Sequence, residues 1–172
     1  MARGRADPAV VVREPDRVRE VFRLVGLLDG PYAAVLPSGH RLVGEEVVDL
    51  KELRGEQWVG GEPPGPAWAC LGRVTGACAA AGFSTGVVVH SEDYGTAQGF
   101  VAAGLGVALM PRSGLRGRYP GVVLRPVRGP EPVRVISAAV RETALQQPAA
   151  RGLLEALREA AAGVPLNGSG AD

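Results

Sequence analysis

Apolar residues follow two rhythms along this chain. Some form short continuous runs, which read as buried strands. Others recur three and four positions apart, which reads as amphipathic helix. Ala9 to Val12 is the first run, entered after Asp7-Pro8. Val21 to Val25 fits strand or helix on pattern alone, and Asp29-Gly30 tips it toward strand. That dipeptide signals a hairpin, with Tyr32 to Leu36 as the returning strand. Gln57 to Val59, Val87 to Val89, Val107 to Met110, Val122 to Leu124 and Val133 to Val140 are further strands.

Helical spacing fills the gaps. Asp49 and Glu52 resemble a capping box ahead of a short helix that Gly55 stops. Pro66 is well placed as a first helical residue. Leu71, Val74, Cys78 and Ala81 then make one apolar stripe, closed by Gly82. Ser91 and Asp93 are both capable N-caps for a helix carrying Ala97, Phe100 and Val101, with Gly104 as its C-cap. A last helix begins near Pro148, buries Leu153, Leu154, Leu157 and Ala161, and ends at Gly163-Val164-Pro165. Strands separated by amphipathic helices predict an α/β fold with a largely parallel sheet.

Composition narrows the function classes. At 172 residues the chain is one domain or two small lobes. Nineteen basic and 18 acidic residues leave a net charge of +1, which gives no electrostatic case for a nucleic-acid surface. Lys51 is the only lysine, a bias that reads as a GC-rich genome. Cys70 and Cys78 on one helix would stand about 12 Å apart along its axis, beyond disulfide reach. They lack zinc spacing too and read as core thiols. No run has the length of a membrane span, and the start, MARGRADPAVVV, is not a secretion signal. A cytoplasmic protein is the expectation.

No constellation supports catalysis. Gly104-Leu105-Gly106 lacks a third glycine and leads into a strand, so it is no dinucleotide fingerprint. Ser91, Ser113 and Ser137 lack the glycine-flanked elbow of a hydrolase. His40 reads as a solvated turn residue. His90 precedes Ser91-Glu92-Asp93, but no second His or Cys lies at ligand spacing, and the acids suit a helix start. Neither an enzyme, a metal site nor a cofactor is expected. Binding is better supported. The junctions Gly60 to Pro66, Ser91 to Thr96 and Pro111 to Gly114 sit at strand ends, where open α/β sheets bind ligands. Helix N-termini there favour carboxylates and phosphates. The same Ser91 and Thr96 also serve simply as helix-capping residues.

Taken together, these segments resemble the effector-binding domain of LysR-type transcriptional regulators. Arg5 to Val11 is similar to that family's strand after an aspartate, and Leu36-Pro37-Ser38-Gly39-His40-Arg41-Leu42 to its proline, glycine and histidine loop. Val48 to Leu53, Trp58-Val59, Ala81-Gly82-Phe83 and above all Val101 to Pro111 continue the match, which runs from about Arg5 to Gly163. The resemblance implies an α/β fold like type 2 periplasmic binding proteins, two lobes joined by two crossovers with a small effector in the cleft. It places the effector-binding domain at 1–165, the second lobe at about 16–112, remnants of the first at 1–15 and 113–165, and a disordered tail at 166–172. Carried over by position, effector-binding candidates are Gly61, Glu62, Phe83, Ser84, Thr85, Ser91 and Asp93.

One departure accompanies the resemblance. Members of that family carry an amino-terminal winged helix-turn-helix, a linker helix and the opening of the first lobe, and these residues show none of them. The expectation is a truncated sensor domain with an incomplete first lobe and no DNA contact of its own. Its partner would be a small-molecule effector, with a carboxylate as the candidate and no membrane involved. A homodimer is the candidate assembly. A free-standing solute- or effector-binding protein of the same fold is the alternative.

Overall fold

The computed structural model describes residues 8–12, 22–61, 66–91, 93–115 and 119–164, with backbone alone for 66–70. Strands β1 (Pro8–Val12), β2 (Phe22–Pro37), β3 (Val48–Asp49) and β4 (Gln57–Gly60) come first. Then follow helix α1 (Pro66–Ala80), β5 (Gly86–His90), α2 (Tyr94–Ala102) and β6 (Ala108–Pro111). Strands β7 (Val122–Arg128) and β8 (Val133–Arg141) precede the final helix α3 (Pro148–Ala162).

The chain divides into two compact units. The smaller comprises the described parts of Met1–Gly30 and Arg134–Leu166, the larger those of Pro31–Val133. Strand β2 gives its first half to one and its second half to the other. The larger unit reaches past residue 112 because β7 pairs with both β2 and β3.

In the smaller unit, β8 lies between β1 and β2, antiparallel to β1 in register Pro8↔Val140 to Val12↔Ile136. Its core is Ala138, Val140, Ala144, Ala150 and Leu154, with Val25, Leu27 and Leu157 packed on it. Helix α3 therefore buries Ala150 and Leu154, while Leu157 and Ala161 are half-buried. Leu153 does not belong to that face and is 44% exposed. It falls roughly 70° round from the stripe's centre at about 100° per residue, so it sits at the edge.

In the larger unit, β4 and β5 are parallel, and a bridge from Trp58 to Val107 joins β4 to the chain entering β6. Strand β6 pairs antiparallel with the second half of β2, whose other neighbour, also antiparallel, is β7. The sheet is thus mixed, not largely parallel. Parallel pairing holds where a helix follows each strand, along β4, α1, β5, α2 and β6. Strand β2 pairs antiparallel with β6 and β7, and β8 with β1, while the short β3 pairs parallel with β7.

The hairpin expected at Asp29-Gly30 is absent, and β2 runs straight through it. Such a turn needs positive φ at both central residues, and neither Asp29 nor Gly30 has it. Its closing hydrogen bond would come from the N–H of residue 31, which is Pro31 and has none.

The core of this unit carries the α1 stripe. Val74, Cys78 and Ala81 are buried in the cluster around Trp58, and Leu71 is buried beside Gly60. Burial pushes the Cys78 thiol up to about 11, as expected of an inert core thiol. Gly82 stops the helix at φ +87°, where Phe83 N–H donates back to Cys78 C=O at 3.0 Å. Asp49 caps the 3-10 helix Leu50–Leu53 by accepting from Lys51 N–H at 3.0 Å. His40 is not the solvated turn residue expected. The turn folds back so that Nε2 meets Glu56 Oε1 at 3.2 Å while Nδ1 accepts from Leu42 N–H at 3.2 Å.

Candidate effector site

The carboxyl ends of β4 and β5 lie side by side, with Gly60 paired to His90. The chain leaves β4 through Gly61 and leaves β5 through Ser91 toward α2. Ser91 N–H donates to Gly60 C=O at 2.9 Å, extending the ladder one step past the strand. His90 Nδ1 lies 3.1 Å from Gly61 C=O, which only accepts, so the ring donates there. These bonds hold the two exits together.

Between them is a cavity of about 40 Å³. It has room for roughly three or four water-sized groups. Its floor is Trp58, Val59, Leu71, Val74, Leu109 and Met110, and its rim is Gly60, Gly61, Ser91, Asp93, Tyr94 and Ala97. All of these belong to the larger unit. Trp58 turns toward the α1 cluster, while Val59 turns toward Ala97 and Val101 of α2.

The N-cap of α2 is Asp93, not Ser91. Asp93 Oδ1 accepts from Thr96 N–H at 2.8 Å. That bond, together with one from the Thr96 hydroxyl and a weaker one from Gly95 N–H, holds the Asp93 carboxyl below the usual carboxylate range, so it is ionised at neutral pH. Ser91 instead donates its hydroxyl proton to Asp93 C=O at 3.0 Å, and it is buried. The Thr96 N–H that an incoming carboxylate would take is therefore already held by the protein's own carboxylate. Tyr94, the first residue of α2, rests against Gly114. A Cβ on Gly114 would stand 2.6 Å from the Tyr94 ring.

Of the expected site residues, the structure brings together Gly61, Ser91 and Asp93. Glu62 lies outside the described residues. Phe83, Ser84 and Thr85 are not brought to the cavity. Gly86 pairs with Gln57, so these three residues precede the opposite ends of the strands. The Phe83 ring packs in the core, 6.3 Å from that of Trp58. The floor residues and Tyr94 were missed because their sequence signal is that of ordinary core. The one available hint was the position of Tyr94, directly after a capping aspartate at a strand exit. Among the described residues no group of His, Cys, Asp and Glu could hold a metal ion, and no helix is long and apolar enough to cross a membrane.

The LysR substrate binding domain model matches residues 1–162. This chain belongs to that family. The LysR domain is 30% identical over 138 residues to the HTH-type transcriptional regulator XapR of Escherichia coli K12. That match covers 80% of this chain and 45% of XapR, so the chain spans about half the length of that relative. Among solved structures it is similar to oxidised OxyR, with 27% identity, a TM-score of 0.70, and coverage of 91% of this chain and 73% of that one. It shares its fold with the regulatory domain of CcmR from Synechocystis PCC6803, determined in complex with 2-PG. That match has 14% identity, a TM-score of 0.71, and coverage of 94% of this chain and 76% of the other. The LysR domain is thus the effector-binding domain of a LysR-family regulator, of periplasmic-binding-protein-like fold, and its matched relatives are transcriptional regulators.

Proposed function

We propose that this LysR domain senses a small-molecule effector in the cavity between the exits of β4 and β5, and that a transcriptional regulator uses that binding to control its genes in the cytoplasm. The ligand is bound and released unchanged. The observation that carries this reading is the cavity itself, an apolar floor with convergent polar groups at the carboxyl ends of parallel strands. The fold's use by CcmR in complex with 2-PG supports a ligand-binding role.

Thermal denaturation with a panel of small metabolites tests it. A true effector at one hundred times its Kd stabilises the domain by about 2.7 kcal/mol. Ala97→Leu fills the cavity from the α2 side, and overpacking there costs about 1–3 kcal/mol, which leaves the fold intact. It abolishes the ligand response. A panel that never raises Tm, or an Ala97→Leu variant that responds like the parent, rules the cavity out as the effector site.

A further inference from the structure

Size and lining set what the cavity between the exits of β4 and β5 can hold, on the reading that this cavity is the effector site. Its volume is about 40 Å³. An apolar cavity that binds benzene measures about 150 Å³, and a single water needs about 10–15 Å³. The space therefore suits roughly three or four non-hydrogen atoms and is too small for a ring.

The lining favours carbon there. Trp58, Val59, Leu71, Val74, Leu109 and Met110 form the floor. The one nitrogen or oxygen among their side chains is the Trp58 indole N–H. It has no partner among the described residues, yet it is shielded from water. A ligand acceptor would have to stand where a water oxygen stands, so it cannot reach this N–H either. At the rim the polar groups are already engaged. Ser91 donates its hydroxyl proton to Asp93 C=O, Gly60 C=O accepts from Ser91 N–H, and Gly61 C=O accepts from His90. Asp93 is exposed and bonded by Thr96, so water screens its charge and the rim fixes no sign on the ligand. Leu71 supplies the wall just beneath. A Cβ on Gly60 would stand 3.0 Å from Leu71 Cδ1, so the tip of this leucine lies against the β4 exit.

We propose that the cavity seats a short alkyl end of the effector, about three carbons long, while the polar end stays at the rim near Ser91, Asp93 and Tyr94. The ligand class is a small aliphatic molecule with no ring in the cavity. Each methylene that leaves water for the floor raises affinity about fourfold until the space is full. Further carbons stay in water and add nothing.

The 1-alkanols from ethanol to heptanol share one neutral head group and differ only in chain length. Each is titrated into the ¹⁵N-labelled full chain while the amide signals of Gly60, Gly61, Ser91 and Gly95 are followed. Affinity rises about fourfold per carbon as far as propanol and then stays level within about twofold. Leu71→Ala takes carbon out of the wall and moves the levelling point about two or three carbons further. Val74→Ala, a smaller truncation, moves it by about one carbon and keeps the test open where Leu71→Ala does not fold. A rise that continues through heptanol in the parent, or a levelling point that neither variant moves, overturns the alkyl pocket. So does benzyl alcohol binding the parent more tightly than propanol, or a series that moves none of these amides. The effector-site reading fails separately. A metabolite whose stabilisation Ala97→Leu abolishes keeps that reading standing even when the alkanol series fails.

Discussion

Two glycines two residues apart do different work. Gly104 ends α2 at φ +80°, and a Cβ added there meets open space. Gly106 has φ +156°, and its Cβ would stand 2.5 Å from Gln57 O, a backbone atom that cannot swing aside. The close approach is the price of the bridge: Val107 N–H donates to Gln57 C=O at 2.8 Å and Val59 N–H to Val107 C=O at 2.9 Å. These bonds tie β4 to the entry of β6 and so shape the cavity floor. Gly104→Ala is expected to cost about 1–2 kcal/mol, the left-handed penalty alone. Gly106→Ala combines strain with a backbone clash and is expected to cost about 3 kcal/mol or more. Urea denaturation of the two variants measures the difference, and equal costs would refute the clash. A helix cap was legible at Gly104 because its causes are local. The need for glycine at 106 was not, because nothing in the sequence says which backbone lies alongside.

The same contrast between local and distant causes operates at the scale of elements. The run β4, α1, β5, α2 and β6 was readable because each element is bounded by its own punctuation: Gly55 before β4, Pro66 opening α1, Gly82 closing it, Asp93 and Gly104 bracketing α2. Pairing direction was not readable, since an apolar run looks alike in a parallel or an antiparallel ladder. At Asp29-Gly30 the local signal was outweighed by its neighbour, because Pro31 lacks the N–H that would close the turn. Helix α3 gives a direct test of which side of an element is buried. Leu154 is 5% exposed in the core of the smaller unit, and Leu153 is 44% exposed at the stripe's edge. Leu154→Ala is expected to destabilise by about 2–4 kcal/mol through lost burial and a residual cavity. Leu153→Ala is expected to stay within about 1 kcal/mol. Chemical denaturation of each variant decides it, and a larger loss for Leu153→Ala would place the buried face elsewhere.

For the whole molecule, the consequence of the fold lies in where the site's parts come from. Every described lining residue falls between Trp58 and Met110, within the larger unit. Gly61, Ser91 and Asp93 were legible as polar residues at strand exits. The floor was not, because Leu71, Val74, Leu109 and Met110 carry the same pattern whether they fill a core or line a cavity. A lesion in the smaller unit should therefore separate stability from binding. Leu154→Ala removes packing from the core of Ala138, Val140, Ala144 and Ala150 and touches no lining residue. A loss of about 2–4 kcal/mol from a typical stability of about 5–15 kcal/mol leaves most molecules folded. Apparent affinity falls only by the fraction of molecules that is not binding-competent. A ligand that raises Tm in the thermal panel should then bind Leu154→Ala within about twofold of the parent, read from the Gly61 and Ser91 amides well below the unfolding transition. If the two units unfold separately, the expectation is the same, because the larger unit keeps every residue of the cavity. A drop beyond about fivefold in a variant whose Gly61 and Ser91 amides stay in their native positions would mean that residues outside the larger unit hold the ligand.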